Sequence, residues 1–508
     1  MREVVIDGEP LHVEDVVEVA NRRANVVAGP RLAERMAPSR RVVEEALASD
    51  LVVYGVTTGF GALAATRVDP QEAADLQVHL IRSHAAGVGP PLDDLTVRAM
   101  LLLRARTLSQ GYSGVRPALV ERYLEFLALD LLPVVPSQGS VGASGDLAPF
   151  AHLALPVIGE GWLQDSGEVM EASQVLSRHH LEPLRLEAKE GLSLLNGTEG
   201  MLAQLALAVD AAEKLADAAD AACALSVEAL LGSARPFRPE IHALRPHPGQ
   251  ARSAANIGGT LAGSQIGSSH VDDFAHAVQD AYSLRCAPQV HGACRDAIAF
   301  AREVCERELG AVVDNPIVLP ETGEVVSAGN FHGQPLAMAL DFLAIALTEL
   351  SSISERRTDR LLDPQHSAGL PAFLSPRPGL NSGYMLAQYT AASLVAENRV
   401  LSHPASVESI PTSGSQEDHV SMGWGAARKL VSVVANTSRV LAIEIICAVQ
   451  GIEYRAPLRP APVTAELCAS IRKLVPPLAE DRVLAGEIEA VAAILTSTPP
   501  FWRGKIDL

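Results

Sequence analysis

Between residues 139 and 145 the chain runs Gly-Ser-Val-Gly-Ala-Ser-Gly, followed by Asp146 and an apolar stretch. A glycine-rich turn opening a helix is a form that cradles phosphate, but this segment has neither Gly-Lys-Ser/Thr nor Gly-x-Gly-x-x-Gly. A nucleophile elbow fails as well, because Gly145 directly follows Ser144 where Gly-x-Ser-x-Gly needs an intervening residue. Two readings stay open. One is a plain flexible turn. In the other the turn is tight enough for the Gly145 amide nitrogen to attack the Ala143 carbonyl carbon. Loss of water then closes a five-membered ring, and dehydration of Ser144 leaves an exocyclic methylene. That reaction dictates its residue types: Gly145 must lack a side chain, Ala143 must be small, and Ser144 must carry a β-hydroxyl to lose. The product is an electrophile that no ordinary side chain supplies.

Other polar residues stand in loops and at helix ends. Tyr54 opens the glycine-broken loop of residues 54–61, where a lone tyrosine packs more often than it reacts. A phenol with a pKa near ~10 needs a depressed value to act as a base near neutrality. Asn196, in Leu195-Asn196-Gly197-Thr198, reads as a cap or turn residue. If the segment from Gln279 to Gln289 is helical, Tyr282 and Arg285 at i and i+3 share a face and address one pocket. Phe331 and His332 lie in a turn ahead of an apolar run, and His332 reads as structural. Taken alone, His84 is a satisfied structural histidine and Glu417 a solvated loop acid. Six cysteines show no Cys-x-x-Cys pair and no metal-ligand spacing, so neither a metal site nor a disulfide framework is expected.

The composition calls for helices to hold these groups. Apolar residues make up 48% of the 508 and aromatic ones only 4%, so the core is to be built from Ala, Leu, Val and Ile. Residues 1–112 mix short β-branched runs with helical stretches and read as a compact mixed α/β region. Residues 113–508 read as an elongated helical bundle. Along residues 201–231, Asp210, Glu213, Lys214, Asp217 and Asp220 recur on one helical face and Leu202, Leu205, Val209 and Ala212 hold another, with a stop at Gly232. Residues 335–353 are apolar nearly all round, as in a helix buried among helices, and 382–402 and 421–454 carry similar signals. Asp146 reads as the N-cap of a helix whose positive end faces the turn. A net charge of −19 repels polyanions, so nucleic acid is not an expected partner. Arg2, Glu3 and Asp7 stand where a signal peptide needs its apolar run, and no apolar stretch long enough to span a bilayer is expected. A cytoplasmic protein with no membrane role is the expectation.

The segment from Gly139 to Pro149 resembles the signature of the aromatic amino acid ammonia-lyases and aminomutases, whose Ala-Ser-Gly becomes methylidene-imidazolone (MIO). Blocks at Tyr54, Asn196, Tyr282 to Arg285 and Gly329 to His332 match the same family in the same order, from residue 54 to beyond residue 420. The resemblance implies a mainly α fold, a long-helix bundle of the fumarase/aspartase-like type with a smaller mixed N-terminal region. It implies a homotetramer whose active sites draw on three subunits. MIO formed from Ala143, Ser144 and Gly145 is then the cofactor, with no dissociable one. By the same resemblance Tyr54 is acid or base at the substrate β-carbon, with Tyr282 and Glu417 in reserve. Arg285 grips the substrate carboxylate through paired donors, Asn196 and Gln279 bind the amino acid end, and Phe331 shields the ring from water. Glu199 receives no role.

Two positions bear on the substrate. Ser83-His84 is similar to the members that act on histidine, whereas Phe-Leu marks those for phenylalanine and His-Leu those for tyrosine. Glu417 is a carboxylate where the latter two groups carry an amide. An imidazole offers a donor and an acceptor that His84 and Glu417 can answer, and a phenyl ring would leave them unpaired. The expected reaction is elimination of ammonia from L-histidine to give trans-urocanate. The alternative is a tyrosine or phenylalanine ammonia-lyase or aminomutase. Gly333-Gln334 keeps that alternative open, since it resembles tyrosine aminomutases as well as some histidine members, others of which often carry Ala-Glu there.

Overall fold

The computed structural model describes residues 2–49, 58, 69, 72–270 and 279–497, and among them are nineteen α-helices and nine short strands. The mainly α architecture is as expected. The chain divides into two compact units, one of Met1–Asp210, Arg302–Asp341 and Pro404–Arg428, the other of Ala211–Ala301, Phe342–His403 and Lys429–Leu508. The division does not fall at residue 112. Residues beyond it stay with the N-terminal region because strand Pro136–Gln138 pairs with Val88–Pro91 and helix Pro117–Leu129 packs on helix Asp94–Ser109.

All nine strands lie in the first unit. Arg2–Ile6 runs parallel to Ala24–Ala28, and Trp162–Asp165 is flanked antiparallel by Leu132–Pro133 and Glu168–Glu171. The pairing of Val88–Pro91 with Pro136–Gln138 fastens the end of helix Ala73–His84 beside the glycine-rich turn, and Gly87 N donates to His152 Nε2 at 3.1 Å there. Helix Asp94–Ser109 begins at an Asp93 carboxylate that accepts from Thr96 N at 2.9 Å, and every residue from Thr96 to Ser109 is buried, three arginines among them.

The apolar patterns find their helices at Gln334–Leu362, Met385–Leu401 and Gly423–Glu453. The first and last are long and apolar enough to cross a bilayer, contrary to the expectation that no such stretch exists. Most of each is buried within the protein, as in core helices. In helix Glu199–Ala229 the acidic face leaves Asp210 and Glu213 partly exposed but turns Asp217 and Asp220 away from solvent. Asp217 and Asp220 are buried and accept from Arg295 at 2.6 and 2.5 Å, and His291 Nδ1 lies 2.7 Å from Asp220. The helix stops near Gly232, but the left-handed residue is Leu231, at φ 53°, while Gly232 N donates to Val227 O at 2.7 Å. The second unit also buries an ion pair, in which Arg357 donates to Glu444 at 2.5 and 2.8 Å while the Ser226 and Ser354 hydroxyls donate to the same carboxylate.

Candidate active site

Neighbouring backbone wedges the glycine-rich turn on two flanks. Gly142 and Gly145 have φ of 68° and 74°, in the left-handed region that favours glycine. Gly145 forms a parallel bridge with Gly197, Asp146 N donates to Gly197 O at 2.8 Å, and a Cβ on Gly145 would run into the Gly197 carbonyl. Elsewhere the Ser421 hydroxyl donates to Gly142 O at 3.0 Å and Met422 N to Val141 O at 2.9 Å. Within the turn Ser140 Oγ accepts from Gly142 N at 3.1 Å and donates to the Asp146 carboxylate at 3.3 Å. Ala143 is buried.

Asp146 stands at the N-cap position of helix Leu147–Ala154 but makes no side-chain bond to it. Its carboxylate accepts instead from Met201 N at 2.8 Å, capping helix Glu199–Ala229. Burial, with the Glu199 charge adding, pushes the Asp146 carboxyl up to about 8 against the pull of the Met201 and Gly200 amides and the Ser140 hydroxyl. Helix Gly423–Glu453 also begins here, since a Cβ on Gly142 would lie 3.3 Å from Gly423 N. Three helix N-termini thus present their positive ends to the turn.

Ser144, half-buried, donates from Oγ to Glu417 Oε1 at 3.3 Å. The other carboxylate oxygen accepts from the Thr412 hydroxyl at 2.8 Å. Thr412 and Glu417 also exchange backbone hydrogen bonds of 2.9 and 3.3 Å, closing a tight loop in which Ser413, Gly414 and Ser415 are all left-handed. His84 ends helix Ala73–His84, and its Nδ1 lies 2.9 Å from Leu80 O. A carbonyl only accepts, so Nδ1 holds the proton and Nε2 of the neutral ring is an acceptor. Burial holds the imidazole below its usual pKa, outweighing the Leu80 carbonyl and the Glu417 charge. Ser144 thus meets Glu417, whose charge also acts on His84.

Asn196 is buried at the end of helix Glu190–Leu195, donates from Nδ2 to Asn315 O at 2.6 Å, and precedes the Gly197 that meets the turn. Phe331 is half-buried in the turn ahead of helix Gln334–Leu362. Its neighbour His332 stacks on His419 at 5.9 Å between ring centroids and donates from Nε2 to His419 O, tying this turn to the Glu417 loop.

In the second unit, Tyr282–Arg285 form a short helix with the Arg285 guanidinium 4.1 Å from the Tyr282 ring centroid, so the shared face exists as a cation–π stack. Arg285 Nε donates to Asp280 O at 3.1 Å, Tyr282 is 71% exposed, and Gln279 is exposed. Tyr54 lies outside the described residues.

The tripeptide surroundings fit MIO: residue 145 can only be glycine, Ala143 is enclosed, and the Ser144 hydroxyl faces a carboxylate able to take a proton. Among the described residues no group of His, Cys, Asp or Glu is arranged to hold a metal ion. Sequence reasoning missed Ser140, Gly197 and Thr412, whose types carry no chemical signal in a loop. It also missed Arg104, for which a signal existed: a lone cation in the apolar run of residues 99–105.

The sequence profile of the aromatic amino acid lyases matches residues 11–473. A histidine ammonia-lyase of Gloeobacter violaceus is 52% identical over 492 residues, which cover 97% of this chain and 95% of that protein. The crystal structure of histidine ammonia-lyase from Trypanosoma cruzi superposes with a TM-score of 0.91 at 42% identity, covering 99% of this chain and 95% of that one. That of tyrosine aminomutase from Streptomyces globisporus does so with 0.93 at 39% identity, covering 100% and 99%. Both solved structures share the helical fold described above, and a match this long and this close leaves no other assignment: the chain belongs to the aromatic amino acid lyase family, an MIO-dependent family of fumarase/aspartase-like fold.

Proposed function

We propose that this chain eliminates ammonia from L-histidine to give trans-urocanate, using MIO made from its own Ala143, Ser144 and Gly145. The observation that carries the reading is Ser144 Oγ at 3.3 Å from Glu417 Oε1, on a turn that admits only glycine at 145, with a neutral His84 alongside. Formation balances without an oxidant. The Gly145 nitrogen bonds to the Ala143 carbonyl carbon, whose oxygen leaves as water with the amide protons of Ser144 and Gly145. The Ser144 hydroxyl then leaves with the α-hydrogen as a second water.

Residues 143–145 would hold MIO, which would supply an electron-poor methylene for the substrate amine and so make nitrogen a better leaving group. The chain's own side chains do the rest. His84 Nε2 accepts the imidazole N–H, and Arg285 grips the carboxylate in its planar fork. Asn196 and Gln279 hold the amino acid end, and Phe331 keeps water off. Tyr54 takes the β-proton, with Tyr282 and Glu417, whose carboxylate meets the Ser144 hydroxyl, as the reserve acid–base groups. The convergent helix N-termini favour negative charge developing at the turn.

The assembly we infer is a homotetramer with shared active sites. Exposed Phe342, Ile345, Leu386 and Tyr389, on helices Gln334–Leu362 and Met385–Leu401, are the kind of surface that assembly covers. A cytoplasmic setting accords with six free cysteines.

A second reading, tyrosine aminomutase, is favoured by the 0.93 TM-score to that enzyme. Purified protein offered L-histidine, L-tyrosine and L-phenylalanine separates the two. Ultraviolet absorbance follows each unsaturated acid and chromatography detects β-amino acids. Urocanate from histidine is the expected product, and β-tyrosine in its place overturns the reading.

A further inference from the structure

Behind the tripeptide lies a buried chain of charges that the reaction as written does not use. Arg104 and Glu199 have side chains 0% and 1% exposed, and Arg104 Nη1 donates to Glu199 Oε1 at 2.6 Å. Arg104 Nε donates to Ser193 O at 2.9 Å. The Ser193 hydroxyl donates to Asp314 Oδ2 at 2.9 Å, and Lys189, also fully buried, donates to the same oxygen at 3.0 Å. Asp314 precedes Asn315, whose carbonyl holds the Asn196 side chain. All of these residues belong to the first unit.

Taking this many charges out of water is costly, and apolar side chains would fill the same space with less penalty, so filling is a poor account of them. Their placement offers a better one. A Cβ on Gly197 would collide with both the Glu199 carboxylate and the Arg104 guanidinium, so the ion pair is packed directly on the Gly197 Cα. Gly197 is also the residue whose carbonyl accepts from Asp146 N and meets Gly145. The pair and the tripeptide bear on the same glycine, and Ser193, Asp314 and Lys189 anchor Arg104 from its other end.

We propose that the Arg104–Glu199 pair is a positioning device for MIO formation, a rigid backing that stops Gly197 from retreating and so keeps Gly145 pressed toward Ala143 while the ring closes. The inference rests on the MIO reading of the tripeptide. Neither residue is a catalytic one. Burial pushes the Glu199 carboxyl up more than Arg104 draws it down, so the pair asks of residue 199 an acceptor oxygen at the right reach more than a full charge.

Two substitutions separate reach from charge. Glu199→Gln keeps the reach and an acceptor, whereas Glu199→Asp keeps the charge and withdraws it by one methylene. Intact mass of the purified full-length protein reads the fraction of chains that have lost two waters, and thermal melting reads folding independently. Glu199→Gln is expected to mature like the wild type. Glu199→Asp is expected to mature roughly tenfold more slowly, as a small misplacement of reacting atoms does, with a cooperative melt and an unchanged KM for histidine in the matured fraction. Should Glu199→Asp fail to melt cooperatively, the apolar pair R104M/E199L replaces it with the same expectation. A folded Glu199→Asp or R104M/E199L that matures at the wild-type rate overturns the proposal, and so does a Glu199→Gln as slow as Glu199→Asp. A wild type that has lost no water at all would instead remove the function reading, and that result shows before any substitution is made.

Discussion

Glu417 is restrained at both ends of its carboxylate, by the Thr412 hydroxyl on Oε2 and by the approach to Ser144 on Oε1. If it takes the β-proton, Glu417→Gln lowers kcat for urocanate formation by about 100-fold or more, the range general-base removal produces, while the intact mass still shows two waters lost. Thr412→Val frees Oε2 and is expected to cost roughly tenfold in kcat with little change in KM, and Thr412→Ser to restore it, as fits a lost charge-assisted hydrogen bond. Steady-state kinetics on both variants checks this, and an unchanged kcat in Glu417→Gln leaves the base role with Tyr54 or Tyr282. The candidate tripeptide could be picked out in the sequence because cyclisation would be a local reaction whose demands on size and hydroxyl are met by adjacent residues, but those residues also left a plain turn open and the family resemblance chose between the two. Thr412 was not, because a threonine in a loop has no pattern until its partner is known.

At the level of elements, the turn is a joint between three helix N-termini and two flanking backbones. Gly145→Ala places a Cβ at φ 74° against the Gly197 carbonyl. The expected outcome is a chain at its full translated mass, destabilised by about 1 kcal/mol or more, measured by mass spectrometry and denaturant unfolding. Asp146 makes the joint sensitive to pH. Its carboxyl is pushed up to about 8 in the folded protein, above the ordinary ~3.9 of an unfolded chain, so the folded state keeps a proton that the unfolded state releases. Stability is therefore greatest below about 4 as far as this group is concerned, and falls as pH rises through about 8. Asp146→Asn is expected to flatten that slope. Melting temperatures of both proteins across this range check it, and parallel slopes would show that other groups set the dependence.

On the scale of the molecule, stability of the second unit leans on charges buried among apolar helices. Arg357 and Glu444 are both 0% exposed and are joined through two hydrogen bonds, with two serine hydroxyls completing the carboxylate. Glu444→Leu leaves the guanidinium buried without its partner and is expected to cost about 3–5 kcal/mol, whereas R357M/E444L recovers most of that loss. Denaturant unfolding measures both, and a single variant no weaker than the double one would mean that water or another acceptor reaches Arg357.

Helix positions were readable over long stretches, as the match of residues 335–353 with the first part of Gln334–Leu362 shows, because an apolar pattern of helical period survives in the chain itself. The candidate turn was readable from its residue types together with the family resemblance. Packing settled the rest. Asp217 and Asp220 on the acidic face of Glu199–Ala229 turn inward because Arg295 and His291 arrive from a distant helix to pair with them. Asp146 caps the helix that begins at Glu199 and not its own, and Gly197 becomes the surface on which the tripeptide is compressed. Such partners are far apart in sequence, and no periodicity records a contact between them.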